Sequence, residues 1–434
     1  MPEKSFRPLR IPARTQVLGN GMRIIAHEDH SSPVVNVHLM YHVGSKDESP
    51  GRTGLAHLLE HLLFEGSEHC PKGEFDLLLE RVGGTNNGST WLDRTNYYET
   101  VPSHAVELAL WLERERMAHF RPVLGEEMLE LQRGVVINER LQVIENRPYG
   151  RADEKLHEVL FPEAHPYRWP TIGYLEDLES IALDDVRSFH EGYYTPANAV
   201  LVLAGDVHAE EAFSLAERYF GDLPGPTEPR RVAPAPNGQP PRATQRELLE
   251  DRVSFPRVYR AHAVPPYGSA DWIALDVLAY LLADGESSRL QRALVREGQL
   301  AQEVDSYLFP TELNGIFGVV ATARSGVEAA ALEEVIDRTL AKVVEEGVTE
   351  AEVAGAVRRV RRDQVEGLAN VEDRAEALAY AATVLGEAEA LERVMAGYLH
   401  VTPDDVQRVA RRYLAPEEAA TVVVVPGHEE TDER

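Results

Sequence analysis

The two halves of the chain carry the same local pattern, which constrains the fold more than any other feature. Residues 185–196 begin with Asp-Val, hold Tyr at the ninth position and end with Pro, and residues 405–416 repeat this pattern. Each stretch is followed by an apolar run that predicts a β-strand, at 199–204 and 421–425. The two copies are too far apart in sequence for a solenoid repeat, so they indicate a duplicated domain.

A Pro-rich segment at residues 223–242 separates the halves and is typical of a linker. We therefore predict a first domain at 1–222 and a second, similar domain at 243–434. Each half mixes apolar strands with amphipathic helices, which favours two duplicated α+β domains.

Composition excludes several classes of protein. The formal charge of −28 over 434 residues argues against a nucleic-acid partner, because phosphates require basic surfaces. The single cysteine, Cys70, rules out an intrachain disulfide and favours a reducing compartment. Residues 1–7 lack the apolar segment of a signal peptide, and no run of 18 apolar residues occurs. We expect a soluble cytoplasmic protein with no membrane partner.

The side chains most suited to metal binding and proton transfer lie close together at residues 57–61, His-Leu-Leu-Glu-His. Leucines recur there at three- and four-residue spacing, which predicts a helix with one apolar face. His57 and His61, four positions apart, then project from the same side of the helix and can bind one Zn²⁺. Glu60 flanks that side and can accept a proton from a water molecule that the metal activates.

A catalytic zinc site commonly has three protein ligands and one open position. A second acidic segment that reads as a helix covers residues 126–140 and offers carboxylates for the third ligand. Spacing alone does not choose among five candidates there and just beyond: Glu126, Glu127, Glu130, Glu139 and Glu145.

Residues 43–48 and 53–66, which contain the HxxEH motif, resemble the pitrilysin family, which includes insulin-degrading enzyme and the mitochondrial processing peptidases. The resemblance continues over most of the first half of the chain, at 17–25, 83–88, 95–98, 165–167 and 196–206. It implies one zinc ion per chain and two similar domains that face each other as a clamshell around a peptide.

The resemblance also implies where the third ligand lies. In the family this ligand follows the motif by roughly 75–80 residues, in a segment with an Arg and a Val pair before the Glu. Glu139 fits this description, because it lies at that distance from His61 and follows Arg133, Val135 and Val136. We therefore expect Glu139 to be the third ligand.

A peptide substrate is expected at an exposed sheet edge, again by resemblance. Asn86 and Asn87 lie in the segment that forms this edge in the family, where a peptide is added as a strand. The family often carries an Arg and, about seven residues later, a Tyr in its second domain. Arg296 matches the Arg, but Gln302 and Glu303 stand where the Tyr is expected. We therefore expect a dimer. One candidate for the second subunit is a homologous chain that carries the Arg–Tyr pair.

The duplication predicts that only the first half binds metal. When residues 57–66 are aligned with residues 276–285, Asp276, Ala279 and Tyr280 take the positions of His57, Glu60 and His61. Leu59, Leu62 and Gly66 meet Leu278, Leu281 and Gly285, so the apolar pattern of the helix repeats without the ligands.

These observations favour a zinc-dependent endopeptidase that hydrolyses short or unfolded peptides, with Glu60 as general base. Two alternatives remain open. One is a non-catalytic or processing-type subunit of a related heterodimer, and the other is a metal-dependent hydrolase of a different substrate.

Overall fold

The computed structural model describes residues 9–225, 241 and 245–427. Its strands are β1 (Arg14–Val17), β2 (Arg23–Glu28), β3 (Val34–Tyr41), β4 (Thr85–Thr90), β5 (Thr95–Pro102), β6 (Ala199–Gly205), β7 (Arg246–Asp251), β8 (Arg257–Val264), β9 (Ala301–Phe309), β10 (Gly315–Ala323) and β11 (Ala420–Pro426). Its α-helices are α1 (Leu55–Leu62), α2 (Glu74–Val82), α3 (Val106–Ala118), α4 (Glu126–Arg140), α5 (Ala152–Leu160), α6 (Leu175–Ser180), α7 (Leu183–Tyr193), α8 (Ala209–Phe220), α9 (Ala270–Ala283), α10 (Ala329–Glu346), α11 (Glu350–Glu366), α12 (Val371–Val384), α13 (Ala390–Gly397) and α14 (Pro403–Tyr413).

The chain forms two compact α+β units that are interleaved in sequence. Within the described residues, the first unit comprises 9–140, 169–225 and 364–395, and the second comprises 141–168, 241, 245–363 and 396–427. The predicted domains are contiguous in sequence, but the observed units are not. Residues 141–168, from the first half of the chain, belong to the second unit, and residues 364–395, from the second half, belong to the first. Most of the predicted linker, 226–240 and 242, lies outside the described residues.

The first unit is built on a six-stranded sheet in the order β1-β2-β6-β3-β5-β4. Strands β2 and β6 are parallel, and the other neighbours are antiparallel. Successive side chains of a strand point to opposite faces, so this sheet supplies two separate cores. Leu39 and Leu201 face one core, which also contains buried residues of α1 and α3, whereas Met40 and Val200 face the other.

The second of these cores is covered by a helix from far along the chain. Helix α12 packs on β3 and β6, and α13 contributes Leu391 and Met395 to the same core. The contact face of α12 is rich in alanine, with Ala375, Ala379 and Ala382 buried, and small side chains allow a helix to approach a sheet closely. The first unit is therefore completed by residues that follow most of the second unit in sequence.

The second unit has a five-stranded sheet in the order β7-β11-β8-β10-β9. Its pairing repeats that of β2-β6-β3-β5-β4, with one parallel pair followed by three antiparallel pairs. Helix α9 follows β8 as α1 follows β3, and α5, from the first half of the sequence, packs on β8 and β11. The prediction of two duplicated α+β domains is confirmed.

No helix among the described residues is long and apolar enough to cross a membrane. The cytoplasmic location and the clamshell arrangement stay predictions.

Candidate metal centre

Helix α1 begins at a turn that only glycine adopts without strain. Gly54, its N-cap, has φ of +85°, and a Cβ there would lie 2.7 Å from both the Ile172 carbonyl oxygen and Leu178 Cδ2. The buried carboxylate of Glu48 accepts hydrogen bonds from the backbone N–H groups of Gly54 (3.0 Å) and Ala56 (2.8 Å). These contacts satisfy donors in the first turn, which has no helical acceptor for them, and they fix the start of the helix.

The apolar face predicted for this helix is confirmed, since Leu55, Leu58, Leu59 and Leu62 are all buried. His57 and His61 lie on the partly exposed side, with ring centroids 4.8 Å apart and planes at 81°. Burial of the leucines therefore holds both imidazoles on one side of a fixed helix.

Glu139, near the end of α4, lies beside His57 and His61, and the three residues form one group of possible metal ligands. Its Oε2 lies 3.4 Å from His61 Nε2 and 3.8 Å from His57 Nε2. Helix α4 packs against α1, and Arg133 anchors it by donating hydrogen bonds to the carbonyl oxygens of Leu178 and Ile181. The helix predicted at 126–140 is confirmed.

The other candidate carboxylates are not part of this group. Glu126 and Glu127 begin α4, roughly 18–20 Å along the axis from Glu139 at 1.5 Å per residue. Glu130 is exposed and pairs with Arg133, and Glu145 belongs to the second unit.

The ligand atoms fit a zinc ion in chemistry, and the two distances from Glu139 Oε2 fit it in spacing. With Zn–N and Zn–O bonds of about 2.0–2.2 Å, tetrahedral ligands lie about 3.3–3.6 Å apart. The separations of 3.4 and 3.8 Å need a shift of only a few tenths of an ångström to match. Two imidazoles and one carboxylate are also an established ligand set for catalytic zinc.

Without a metal ion, electrostatics favour the metal-binding protonation state for His57 and Glu139 but not for His61. Burial lowers the pKa of His57, which keeps that imidazole neutral. Burial also lowers the pKa of His61, but the hydrogen bond to Glu139 and the charges of Glu60 and Glu139 outweigh it and raise the pKa overall. The same hydrogen bond lowers the pKa of Glu139 and keeps it ionised. A cation between them would replace the proton of His61.

Glu60 lies next to this group but outside it. Its side chain is buried, with 8% exposure, and its Oε2 accepts a 2.6 Å hydrogen bond from Thr90 Oγ1. Burial raises the pKa of the Glu60 carboxyl, against opposing effects of Thr90, His61 and Arg94. A carboxyl with a raised pKa that is not itself a ligand suits proton transfer near neutral pH.

These residues line an open cleft of about 590 Å³ in the first unit. One wall is β4, which lies at the edge of the sheet and pairs only with β5 among the described strands. Asn86 and Asn87 are on this strand, and Asn86 Nδ2 donates a 2.8 Å hydrogen bond to Asp76 Oδ1. The predicted exposed edge is therefore present beside the metal ligands, and its role in substrate binding stays a prediction.

Two residues of the site were missed in the sequence. Gln132 lies beside His61, whose pKa it helps to raise, and its Nε2 donates a 2.7 Å hydrogen bond to Glu65 Oε1. Thr90 positions Glu60, as described above. Gln132 lies two turns before Glu139 on the predicted helix, so helical spacing could have suggested it, whereas no local pattern distinguishes Thr90 from other threonines.

The remaining candidates belong to the second unit. Arg296 is exposed, ends a π-helical turn and pairs with Glu286 at 3.3 Å. On α9, Asp276 accepts a hydrogen bond from Tyr398, and Tyr280 donates one to Asp363. Within the described part of this unit, no group of three His, Cys, Asp or Glu side chains has the spacing of metal ligands.

Comparisons with known proteins agree with the fold and the motif. Residues 23–167 match the family described as insulinase, peptidase family M16, and residues 180–360 match that described as peptidase M16 inactive domain. The zinc protease PqqE of Helicobacter pylori is 30% identical over 413 residues, covering 94% of this chain and 92% of that protein. An uncharacterized zinc protease of Streptomyces coelicolor is 28% identical over 419 residues, covering 94% and 89%. The chain belongs to the insulinase family of peptidases, M16, as its sequence predicted.

Solved structures show the same architecture. The crystal structure of a protease from Helicobacter pylori superposes with a TM-score of 0.88 at 29% identity, covering 97% of this chain and all of the other. A structure from Pseudomonas fluorescens, described as a peptidase M16 inactive domain, gives a TM-score of 0.85 at 20% identity, covering 96% and 98%. At that identity the second likeness bears on the fold alone.

Proposed function

We propose that this chain is a zinc-dependent endopeptidase that hydrolyses short or unfolded peptides. The observation that carries the proposal is the convergence of His57, His61 and Glu139 beside the buried, non-ligating Glu60. Zinc held by the first three residues would polarise the scissile carbonyl and lower the pKa of the attacking water.

The residues of the chain account for the rest of the chemistry. Glu60 accepts the proton of the attacking water and then returns it to the leaving amine. Thr90 donates to one oxygen of Glu60 and fixes the direction of the other. Gln132, whose side chain is held by Glu65, is placed beside His61 to help orient its ring.

The position of β4 supports an extended peptide as the substrate. An edge strand exposes unpaired backbone N–H and C=O groups, and a peptide can bind them as one more strand. A folded protein has already paired most of its backbone N–H and C=O groups internally, so we infer a preference for short or unfolded chains. Asn86 and Asn87 are the side chains of β4 assigned to substrate binding.

The alternative, a non-catalytic or processing-type subunit of a related heterodimer, takes its support from the description of residues 180–360 as an inactive domain. That match lies outside the segment that supplies the zinc ligands, which falls in the match at 23–167. The ligand set and Glu60 are complete in this chain, which favours the catalytic assignment.

The test is zinc-dependent cleavage of a quenched, unstructured peptide by the purified full chain. We expect a chelator to abolish cleavage, zinc to restore it, and His61→Ala to abolish it in a protein whose circular dichroism is unchanged. A disulfide-bonded small protein should resist cleavage until it is reduced and unfolded. Stoichiometric zinc without cleavage of any peptide, alone or with a homologous chain, would favour the non-catalytic subunit. Activity that survives zinc removal would refute the proposal.

A further inference from the structure

A second group of metal-binding side chains lies on the surface of the first unit, at the carboxyl ends of β2 and β6. The two strands are parallel neighbours, and Glu28 is in register with Gly205. Parallel strands end at the same edge of a sheet, so residues 28–30 and 206–208 come together there. The pairing thereby gathers Glu28, His30 and His208 from two distant parts of the sequence.

The spacing of the side chains in this group is similar to that in the metal centre. Glu28 Oε2 lies 3.3 Å from His208 Nδ1 and 3.5 Å from His30 Nε2. In the metal centre, Glu139 Oε2 lies 3.4 and 3.8 Å from the two imidazole nitrogens. The ring centroids are 4.8 Å apart in both groups. Both surface separations fall within the range of about 3.3–3.6 Å expected for tetrahedral zinc ligands.

Two of the three side chains are held by contacts that leave the ligand atoms facing one point. Glu28 Oε1 accepts a 2.9 Å hydrogen bond from the backbone N–H of Ala209, so its Oε2 is the atom near the histidines. His30 Nδ1 lies 2.8 Å from Asp206 Oδ1, which leaves His30 Nε2 directed at Glu28. A carboxylate on the far nitrogen of a ligating histidine is the usual arrangement in zinc sites, because it fixes the tautomer and the orientation of the ring.

We propose that Glu28, His30 and His208 form a second zinc site, with Asp206 as a positioning residue. Two imidazoles and a carboxylate suit Zn²⁺ among the available divalent ions. The group is exposed, so water completes the coordination and the ion exchanges readily with solvent. An ion bound there joins the end of β2 to the start of α8 and leaves the cleft of the metal centre untouched.

The experiment counts zinc in a background that lacks the first site. The full chain carrying His57→Ala and His61→Ala is freed of metal and titrated with Zn²⁺ by calorimetry, and with Co²⁺ by visible absorption. We expect His30→Ala and His208→Ala, added together, to remove one equivalent of zinc and the corresponding tetrahedral Co²⁺ absorption. Removal of two other exposed histidines, His104→Ala with His400→Ala, is the matched control and should change neither. The comparison between variants also cancels any zinc taken up by the third group of such side chains, Glu68, His69 and His119.

Asp206→Asn tests the positioning role, since it keeps all three ligands and weakens the contact that orients His30. We expect zinc affinity at this site to fall roughly 10–100-fold, the usual effect of losing such a partner. Circular dichroism checks that each variant is folded. Equal zinc uptake with and without His30 and His208 would overturn the proposal and leave the group as a cluster of ion pairs. No step of this experiment uses peptide cleavage, so its outcome is independent of the proposed peptidase function.

Discussion

Replacing Glu60 by glutamine separates the general base from the metal ligands. Gln has nearly the shape of Glu, and Thr90 Oγ1 can still donate its hydrogen bond to the amide oxygen. The amide cannot accept the proton of the attacking water. General base catalysis contributes roughly 10²–10⁴-fold in rate, or about 2.7–5.4 kcal/mol of barrier at 1.36 kcal/mol per decade. We expect kcat/KM to fall by that factor.

The same substitution should leave zinc binding and folding intact. Glu60 is not among the three residues whose ligand atoms converge, so zinc should stay at one equivalent in the metal centre. Burial raises the pKa of the Glu60 carboxyl, which means that its charged form is disfavoured in the folded protein at neutral pH. The metal-free Glu60→Gln protein should therefore unfold at a temperature no lower than that of the unmodified protein.

The assay pairs turnover on a quenched peptide with zinc content by mass spectrometry. Glu130→Gln is the control, because Glu130 is an exposed carboxylate on α4 that pairs only with Arg133 among the contacts described. It should change neither turnover nor zinc. Loss of zinc from folded Glu60→Gln protein would show that Glu60 is a ligand, and turnover within threefold of the unmodified protein would show that it is not the base.

Three further predictions rest on particular residues. Glu139→Gln should weaken zinc binding by more than the roughly 10–100-fold that is typical when a residue hydrogen-bonded to a metal ligand is lost. Glu130→Gln should leave zinc binding unchanged, and normal zinc content in Glu139→Gln would place the third ligand elsewhere. Burial lowers the pKa of His38 to about 3, whereas a histidine in the unfolded chain has a pKa of about 6.5. As the pH falls below about 6.5, the unfolded chain therefore binds a proton at this residue that the folded chain does not bind. The free energy of unfolding should drop by about 1.4 kcal/mol per pH unit because of His38. His38→Gln should remove that slope in chemical denaturation between pH 6.5 and 4.5, and an unchanged slope would contradict the assignment. Because Arg296 lacks the following Tyr, a homologous chain that carries the Arg–Tyr pair should raise turnover roughly 10²–10³-fold, and full activity of this chain alone would argue against such a partner.

Local periodicity was sufficient to locate the elements that carry the metal ligands. The leucine spacing around His57 predicted α1, and its buried face matches that spacing. The recurrence of the 185–196 pattern at 405–416 predicted two related domains, and β6 and β11 occupy equivalent places in their sheets. Choosing Glu139 among five carboxylates required the family resemblance, because helical spacing alone did not say which end of α4 faces α1.

Contacts between residues distant in sequence were not predictable in this way. Thr90 reaches Glu60 because β4 is folded beside α1, and a threonine in a strand has no local feature that marks such a contact. The interleaving of the units was missed for the same reason. The sequence of α12 is rich in alanine, and nothing in it specifies the first sheet as its partner.

The position of α12 has a consequence for synthesis on the ribosome. About 165 residues separate the end of β6 from the start of α12, and translation at roughly 5–20 residues per second takes about 8–33 s to cover them. Until then Ile25, Met40, Val200 and Val202 of the first sheet have no helix to cover them. Helix α5 is synthesised early, but β8 and β11 of the second sheet, on which it packs, are synthesised much later. Neither unit can complete its core before nearly the whole chain has emerged from the ribosome. The nascent protein therefore exposes an apolar sheet face, to which we expect chaperones to bind. A chain truncated after the first half would keep that face exposed.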